Sequence, residues 1–384
     1  MVLPRNDIVN VLLVSPYLPP EDPRFGGDHG YTMTLLEHPP SGVQYFHHEE
    51  LIRQARATRV RPIQILVHQL RKKKLIAPGL WFESFETDFV PDLIHIVSFS
   101  ALVRIRGTRR NIPVVIGTST GSTSDLRYYY GWAEKRVHQA RIVQRVLLRL
   151  IGAYDTALNP RDAKRVLVWS EFARRLHVEE GVTPPYLLDV LPPGIPRRVM
   201  GIRPESRSLR FLFIGRDFER KNGPLVLKGF RQVRAEYPNI ELVVVGQPAD
   251  GHLISEPGVT HYRFMPRQQL LEDVIPKADV LLLPSRAEGF GLVLLEAMAC
   301  GLAWFGVDAY AMPEIIEEGE NGFLLRPDSL DDLVRHMRLM SEQPGLLQHV
   351  KQRSERIFNE KFAVEVHNQR LRSIYDSVLA GVSG

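Results

Sequence analysis

The chain has 384 residues, of which 44% are hydrophobic and 24% charged, a net charge of +5 and a single cysteine. That length exceeds one ordinary core and suits two domains, while the composition excludes a mostly disordered or low-complexity chain. The lone Cys300 excludes an internal disulfide and a thiolate zinc cluster, and fits a reducing compartment as a small core residue.

In chain order, the N-terminal run MVLPRNDIVNVLLVSPYLPP ends quickly in prolines and has no small-residue cleavage site. It reads as a first buried strand at 10–15 and not as a signal peptide. No segment approaches the roughly 18 consecutive apolar residues of a membrane span, so a cytoplasmic protein is expected. Further short, β-branched apolar runs stand at 93–97, 114–117 and 166–170, and again at 209–214, 241–245, 280–283 and 303–306. Helical patterns alternate with them, as in βαβ units on parallel sheets whose strands are buried on both faces. Between the two sets, LPPGIPRR at 191–198 forbids regular structure. The boundary falls there, giving a first Rossmann-like domain at 1–195 and a second at 196–360. Residues 361–384 have helical periodicity through Val364, Leu371, Tyr375 and Val378, and are expected to pack back toward the first domain.

The basic excess lies in the first half. Arg71, Lys72, Lys73 and Lys74 form one run. The segment 128–150 interleaves Tyr128, Tyr129, Tyr130 and Trp132 with arginines and ends in Val146, Leu147, Leu148 and Leu150. Aromatic and cationic residues beside an apolar helical face suit an anionic membrane surface, giving a peripheral protein on the inner face; a solvated face over a core stripe is the plainer reading. Nucleic acid is not expected, because no recognition motif accompanies the charge.

The stretch that carries chemistry is PSRAEGFGLVLLEAMACG at 284–301. It follows the run at 280–283, turns through Gly289, Phe290 and Gly291, and enters a helical pattern at about Leu292. Strand, glycine turn and helix start together place backbone N–H groups at a sheet's carboxyl edge, where an anion binds. Glu288 lies in that turn and Glu296 further into the helix, and carboxylates in such places accept hydrogen bonds from vicinal hydroxyls. A second loop, IGRDFERKNG at 214–223, brings Arg216 and Lys221 to the same edge of the same expected sheet. Two cations beside a helix N-terminus suit a diphosphate and the charge it gains as a leaving group.

In these motifs the chain resembles the retaining glycosyltransferases of family 4, an α/β family with the GT-B fold, in which two Rossmann-like domains face each other across a cleft. Glu288 and Glu296 in EGFGLVLLE match its E-x7-E motif, and Arg216 and Lys221 match its basic pair. The resemblance implies that Arg216 and Lys221 bind the donor diphosphate, that Glu296 holds the ribose, and that Glu288 contacts the transferred sugar at its reacting centre. It gives Gly289, Phe290, Gly291 and Leu292 to the phosphate and sugar cradle, and Phe264 and Met265, in HYRFM, to the nucleotide base. It also gives Gly26 and Gly27 to the donor phosphates, and places SEF at 170–172 and VLPPGI at 190–195 just before the second domain. The donor implied is a nucleoside diphosphate sugar, UDP-sugar ahead of GDP-sugar, with no other cofactor and no metal, and the acceptor a glycan, a lipid-linked molecule or a small molecule.

The chain departs from that pattern in two places. Many members carry a histidine after the strand that here ends in Gly117, where this chain reads GTSTGSTSD. A threonine hydroxyl is no base at neutral pH, so Thr120 is expected to orient the acceptor, together with His29. Catalysis then rests on leaving-group stabilisation and front-face attack. The glycine pair common before Pro-Glu is replaced by Ala309, Tyr310, Ala311 and Met312 ahead of Pro313 and Glu314. A dinucleotide-dependent oxidoreductase is disfavoured, since the first strand runs into SPYLPP and not into a glycine fingerprint. A non-catalytic nucleotide-sugar-binding subunit and a same-fold epimerase or phosphorylase stay open. His95 is expected in the core.

Overall fold

The computed structural model describes residues 8–16, 27–73, 82–98, 100–107, 111–120, 131–151, 163–181, 183–197 and 208–381. Strands β1 (Val9–Val14), β2 (Val43–His47), β5 (Leu93–Val97), β7 (Val114–Thr118), β8 (Ala163–Val168) and β9 (Leu188–Val190) form one six-stranded parallel sheet, in the order β2-β1-β5-β7-β8-β9. Strands β3 (Ala57–Arg59), β4 (Phe82–Thr87) and β6 (Ser100–Ile105) form a separate mixed sheet of three. The second six-stranded parallel sheet contains β10 (Arg210–Ile214), β11 (Glu241–Val245), β12 (Val259–Tyr262), β13 (Val280–Leu283), β14 (Ala303–Val307) and β15 (Gly322–Leu325). Its order is β12-β11-β10-β13-β14-β15.

The central strands are the apolar runs of the sequence, because a parallel strand covered by helices on both faces has no polar side to show. β5, β7, β13 and β14 are buried throughout. The sequence reading missed β2, β9, β12, β15 and the three-stranded sheet. Edge strands face water on one side and lose the continuous apolar signal: β12 alternates half-buried and exposed residues, and β9 has only three residues. The expected strand at 166–170 is also corrected. β8 runs from Ala163 to Val168, and Ser170 leaves the sheet to cap the next helix, its Oγ accepting from the backbone N of Ala173 at 3.0 Å.

Contacts divide the chain into two units. One takes Asp28–Gly194 with the first strand and the chain from His367 onward; the other takes Ile195–Val366 and, of the described residues before Asp28, Gly27. The first core packs Leu12, Val14, Ile94, Ile96, Val114 and Ile116. The second is built on Phe211, Phe213, Phe230, Leu282 and Phe305, with Leu333 and Met337 from the helix Leu330–Glu342. That helix packs against the helix Gly223–Glu236 at Gly229, where an added Cβ would stand 2.9 Å from Leu333 Cδ2.

The C-terminal helix Val364–Ala380 carries a polar network into the first unit. Tyr375 Oη bonds His95 Nδ1 at 2.7 Å and Tyr45 Oη at 3.0 Å. His367 bonds Tyr31 Oη at 3.2 Å and the carbonyl of Pro192 at 2.8 Å. Burial lowers the His95 pKa to about 3, so its imidazole is neutral, and the residue is a hydrogen-bonded core histidine.

Candidate active site

In the second sheet β10 lies between β11 and β13, so the chain departs from β10 in one direction and later returns on its other side. This order makes the carboxyl ends of β10 and β13 the topological switch point, the place where open α/β sheets bind ligands. The loops that follow these two strands are those with the basic and acidic residues. A glycine lets the end of β11 approach the first of these loops: Gly246 has φ +151°, and an added Cβ would lie 2.1 Å from the carbonyl oxygen of Gly215, just after β10.

The first loop closes through Asn222, left-handed at φ 65° and buried, whose Nδ2 donates to Asp328 Oδ1 at 2.9 Å. The second is stitched to it. The backbone N of Arg286 donates to the Arg220 carbonyl at 2.8 Å, and the Arg220 guanidinium donates to the Ala287 carbonyl at 2.6 Å. Between them, Lys221 Nζ and Glu288 Oε2 form a direct ion pair, with side chains 13% and 10% exposed. Burial pulls the Lys221 pKa down and the Glu288 carboxylate opposes that shift. Ser285 Oγ stands 3.5 Å from the same Glu288 oxygen. Gly291, at φ +84°, then starts the helix Leu292–Ala299, whose first turn has N–H groups without intrahelical acceptors. Gly289, Phe290, Gly291 and Leu292 are buried around this turn.

Glu296, 5% exposed, pairs with the Arg267 guanidinium. Arg267 was not among the residues picked from the sequence. It precedes Glu296 by 29 positions and only the sheet order brings them together. Arg220 was missed as well, since nothing in ERKN separates it from its neighbours. The four charged residues expected to converge therefore fall into a Lys221–Glu288 pair and a Glu296–Arg267 pair, while Arg216 is exposed. Of the residues expected near the base, Phe264 is 45% exposed and Met265 half-buried. His261, on the same segment, accepts from the backbone N of Ile254 at Nδ1, 3.1 Å, which leaves Nε2 to donate to the Gly246 carbonyl at 2.7 Å.

Gly27 opens the helix Gly27–Glu37, which from Asp28 onward belongs to the first unit, and Gly26 lies outside the described residues. His29 is buried in that helix. Thr120 is buried after β7, and its carbonyl accepts from His177 Nε2 at 3.1 Å and from Thr118 Oγ1 at 3.0 Å. His177 thus fixes the threonine segment, a contact that sequence reasoning had no means to find. Asp28, its carboxyl pushed up by burial, accepts from Ser98 Oγ at 3.1 Å, and Ser98 is left-handed at φ 54°. Away from these loops the fold groups His48, Glu49 and Glu83, which form no metal-binding motif in the sequence. Arg59 pairs with both carboxylates and supplies the positive charge they face.

Residues 202–357 match the family model "Glycosyl transferases group 1". The match is confined to that part of the chain, which lies within the second unit. The match takes in β10 to β15 and with them Arg216, Lys221, Arg267, Glu288 and Glu296. Among curated proteins, the chain is similar to N-acetyl-alpha-D-glucosaminyl L-malate synthase of Bacillus anthracis, 30% identical over 30% of each chain. It is also similar to phosphatidyl-myo-inositol mannosyltransferase of Mycolicibacterium smegmatis, 28% identical over 59% of this chain and 61% of that one. The chain thus spans less than two thirds of the length of either relative. Among solved structures, HepE of Anabaena, in complex with UDP and glucose, superposes with a TM-score of 0.61 at 16% identity, over 96% of this chain and all of that one. At that identity the likeness is one of fold, and it extends over both units: the chain has the GT-B fold.

Proposed function

We propose that the chain is a glycosyltransferase that moves a sugar from a nucleoside diphosphate sugar to a hydroxyl acceptor, with retention of configuration and without a metal. The observation that carries this reading is the Lys221–Glu288 pair at the switch point, beside the first turn of the helix Leu292–Ala299. An incoming diphosphate competes with Glu288 for Lys221. Once it takes the ammonium and the helix N–H groups, with Arg216 as second cation, Glu288 is released to a hydroxyl of the donor sugar. Glu296 takes the ribose. In the transfer step the acceptor oxygen bonds to the anomeric carbon as the bond from that carbon to the phosphate oxygen breaks. The acceptor's proton passes to the departing phosphate, and the cations stabilise the charge that develops there. Thr120 and His29 are read as acceptor contacts.

UDP stands ahead of GDP as the nucleotide, in line with the UDP bound to HepE. The relatives' names support a hydroxyl acceptor, one of them a malate and the other a phosphatidylinositol. The test is release of free nucleoside diphosphate that depends on acceptor, with UDP- and GDP-sugars and with malate, inositol phosphate and phosphatidylinositol vesicles offered in turn. Lys221→Ala is expected to lower turnover by about 10²–10³-fold, the usual loss when one donor to a developing oxyanion is removed. Nucleotide binding without release under any acceptor favours the non-catalytic subunit, and interconversion of the donor without transfer favours an epimerase.

A peripheral membrane position is part of the proposal. The helices Arg61–Lys72 and Glu134–Ile151 pack through Val67, Val137 and Leu147, yet expose Ile65, Leu66, Ile142, Val146 and Leu150 beside Lys72, Lys135 and Arg149. Apolar tips among cations suit an anionic bilayer surface. No helix among the described residues is long and apolar enough to cross a membrane. Val146→Asp with Leu150→Asp is expected to abolish flotation with phosphatidylglycerol vesicles; unchanged flotation removes this part. Of the segments singled out in the sequence, Lys74 and Tyr128 to Tyr130 lie outside the described residues.

A further inference from the structure

Glu296 is held by a residue that its motif does not contain. The Arg267 guanidinium pairs with Glu296 Oε1, and among the described residues no hydrogen bond is made at Oε2. A buried carboxylate so near a diphosphate site would repel the phosphates if its charge stood alone, and the guanidinium cancels much of that charge. The pair therefore leaves Glu296 with one oxygen for a ligand hydroxyl at little electrostatic cost to the neighbouring anion.

Arg267 also has a telling place in the chain. It follows Pro266 directly after the segment His261–Met265, where His261 is locked by its two backbone partners and the Phe264 ring is exposed. That segment leaves β12, at the edge of the sheet, whereas Glu296 follows β13 on the far side of β10. The Arg267 side chain thus spans the switch point and joins the base-side segment to the ribose-side carboxylate.

We propose that Arg267 is a positioning residue that orients Glu296 for the ribose hydroxyls, so that recognition of the ribose depends on the base-side segment. This rests on the reading of Glu296 as the ribose ligand. Calorimetric titration of the full chain with UDP and with 2′,3′-dideoxy-UDP tests it. The wild type is expected to prefer UDP by about tenfold or more, the scale of a charged hydrogen bond to the ribose. Arg267→Ala is expected to cut that preference to less than about threefold while affecting the dideoxy nucleotide little, and Arg267→Lys or Arg267→Gln, which keep a donor for Oε1, to restore part of it. In a Glu296→Ala background the Arg267→Ala change should leave the preference unaltered.

An unchanged preference in Arg267→Ala overturns the positioning role while leaving Glu296 in place. Tighter UDP binding in that variant overturns it too, because Arg267 would then compete with the ribose. Absence of any preference in the wild type removes the Glu296 reading itself. Thermal unfolding of the ligand-free variants separates these results from loss of the fold, and Arg267→Gln carries the test if Arg267→Ala does not fold.

Discussion

Lys221 and Glu288 neutralise each other in a largely dry loop pair, and Glu296 and Arg267 do the same nearby. Buried ion pairs of this kind contribute little net stability, but removing one partner strands a charge. Glu288→Ala is therefore expected to lower the unfolding free energy by about 2–4 kcal/mol in a urea titration, with part recovered by saturating UDP, which offers Lys221 another anion. A glycine matters at the same scale. Gly246→Ala would place a methyl 2.1 Å from the Gly215 carbonyl in a backbone region that suits glycine. Separation of β11 from the Lys221 loop should follow, with loss of nucleotide-induced thermal stabilisation; an unshifted response to UDP would contradict the close approach.

At the scale of the element, the C-terminal helix is tied down by its apolar stripe and its polar face together. Leu371, Tyr375 and Val378 are buried at spacings of four and three, one face of an α-helix. Tyr375 satisfies His95 Nδ1, whose ring has no other partner among the described residues. Tyr375→Phe removes that bond and is expected to cost about 1–3 kcal/mol in urea unfolding, the penalty for a buried polar atom left alone. The stripe was legible in the sequence, since Leu371, Tyr375 and Val378 recur at helical period. The Tyr375–His95 contact was not, because 280 residues separate the two and no local rule pairs them.

Across the whole molecule, buried neutral histidines are unevenly shared. In the first unit burial lowers His47 to about 4, His95 to about 3 and His367 to about 4, and it drives His48 well below its ordinary value. In the second unit His336 is lowered to about 4. Each titrates near 6.5 once unfolded, so below that pH the unfolded chain binds protons that the folded one refuses. Their effect on stability is absent well above pH 6.5 and grows as the pH falls from about 6.5 toward 4. The first unit is expected to lose stability first. Hydrogen exchange at pH 7 and pH 5, corrected for intrinsic rates, should show β5 losing more protection than β13; equal loss would count against these shifts.

The sequence by itself determined the βαβ pattern, the central strands of both sheets, the helical stripe at the C-terminus and the two loops that hold Lys221 and Glu288. All of these are written in local periodicity and in glycine placement, which act over a few residues. The tertiary structure alone decided which charges meet. The order β12-β11-β10-β13 brings Arg267 to Glu296 and leaves Arg216 exposed, and the loop after β7 is fixed by His177 from a later helix. Partner choice among charged side chains depends on through-space distance and on exclusion of water, and neither is set until the strands have taken their order in the sheet.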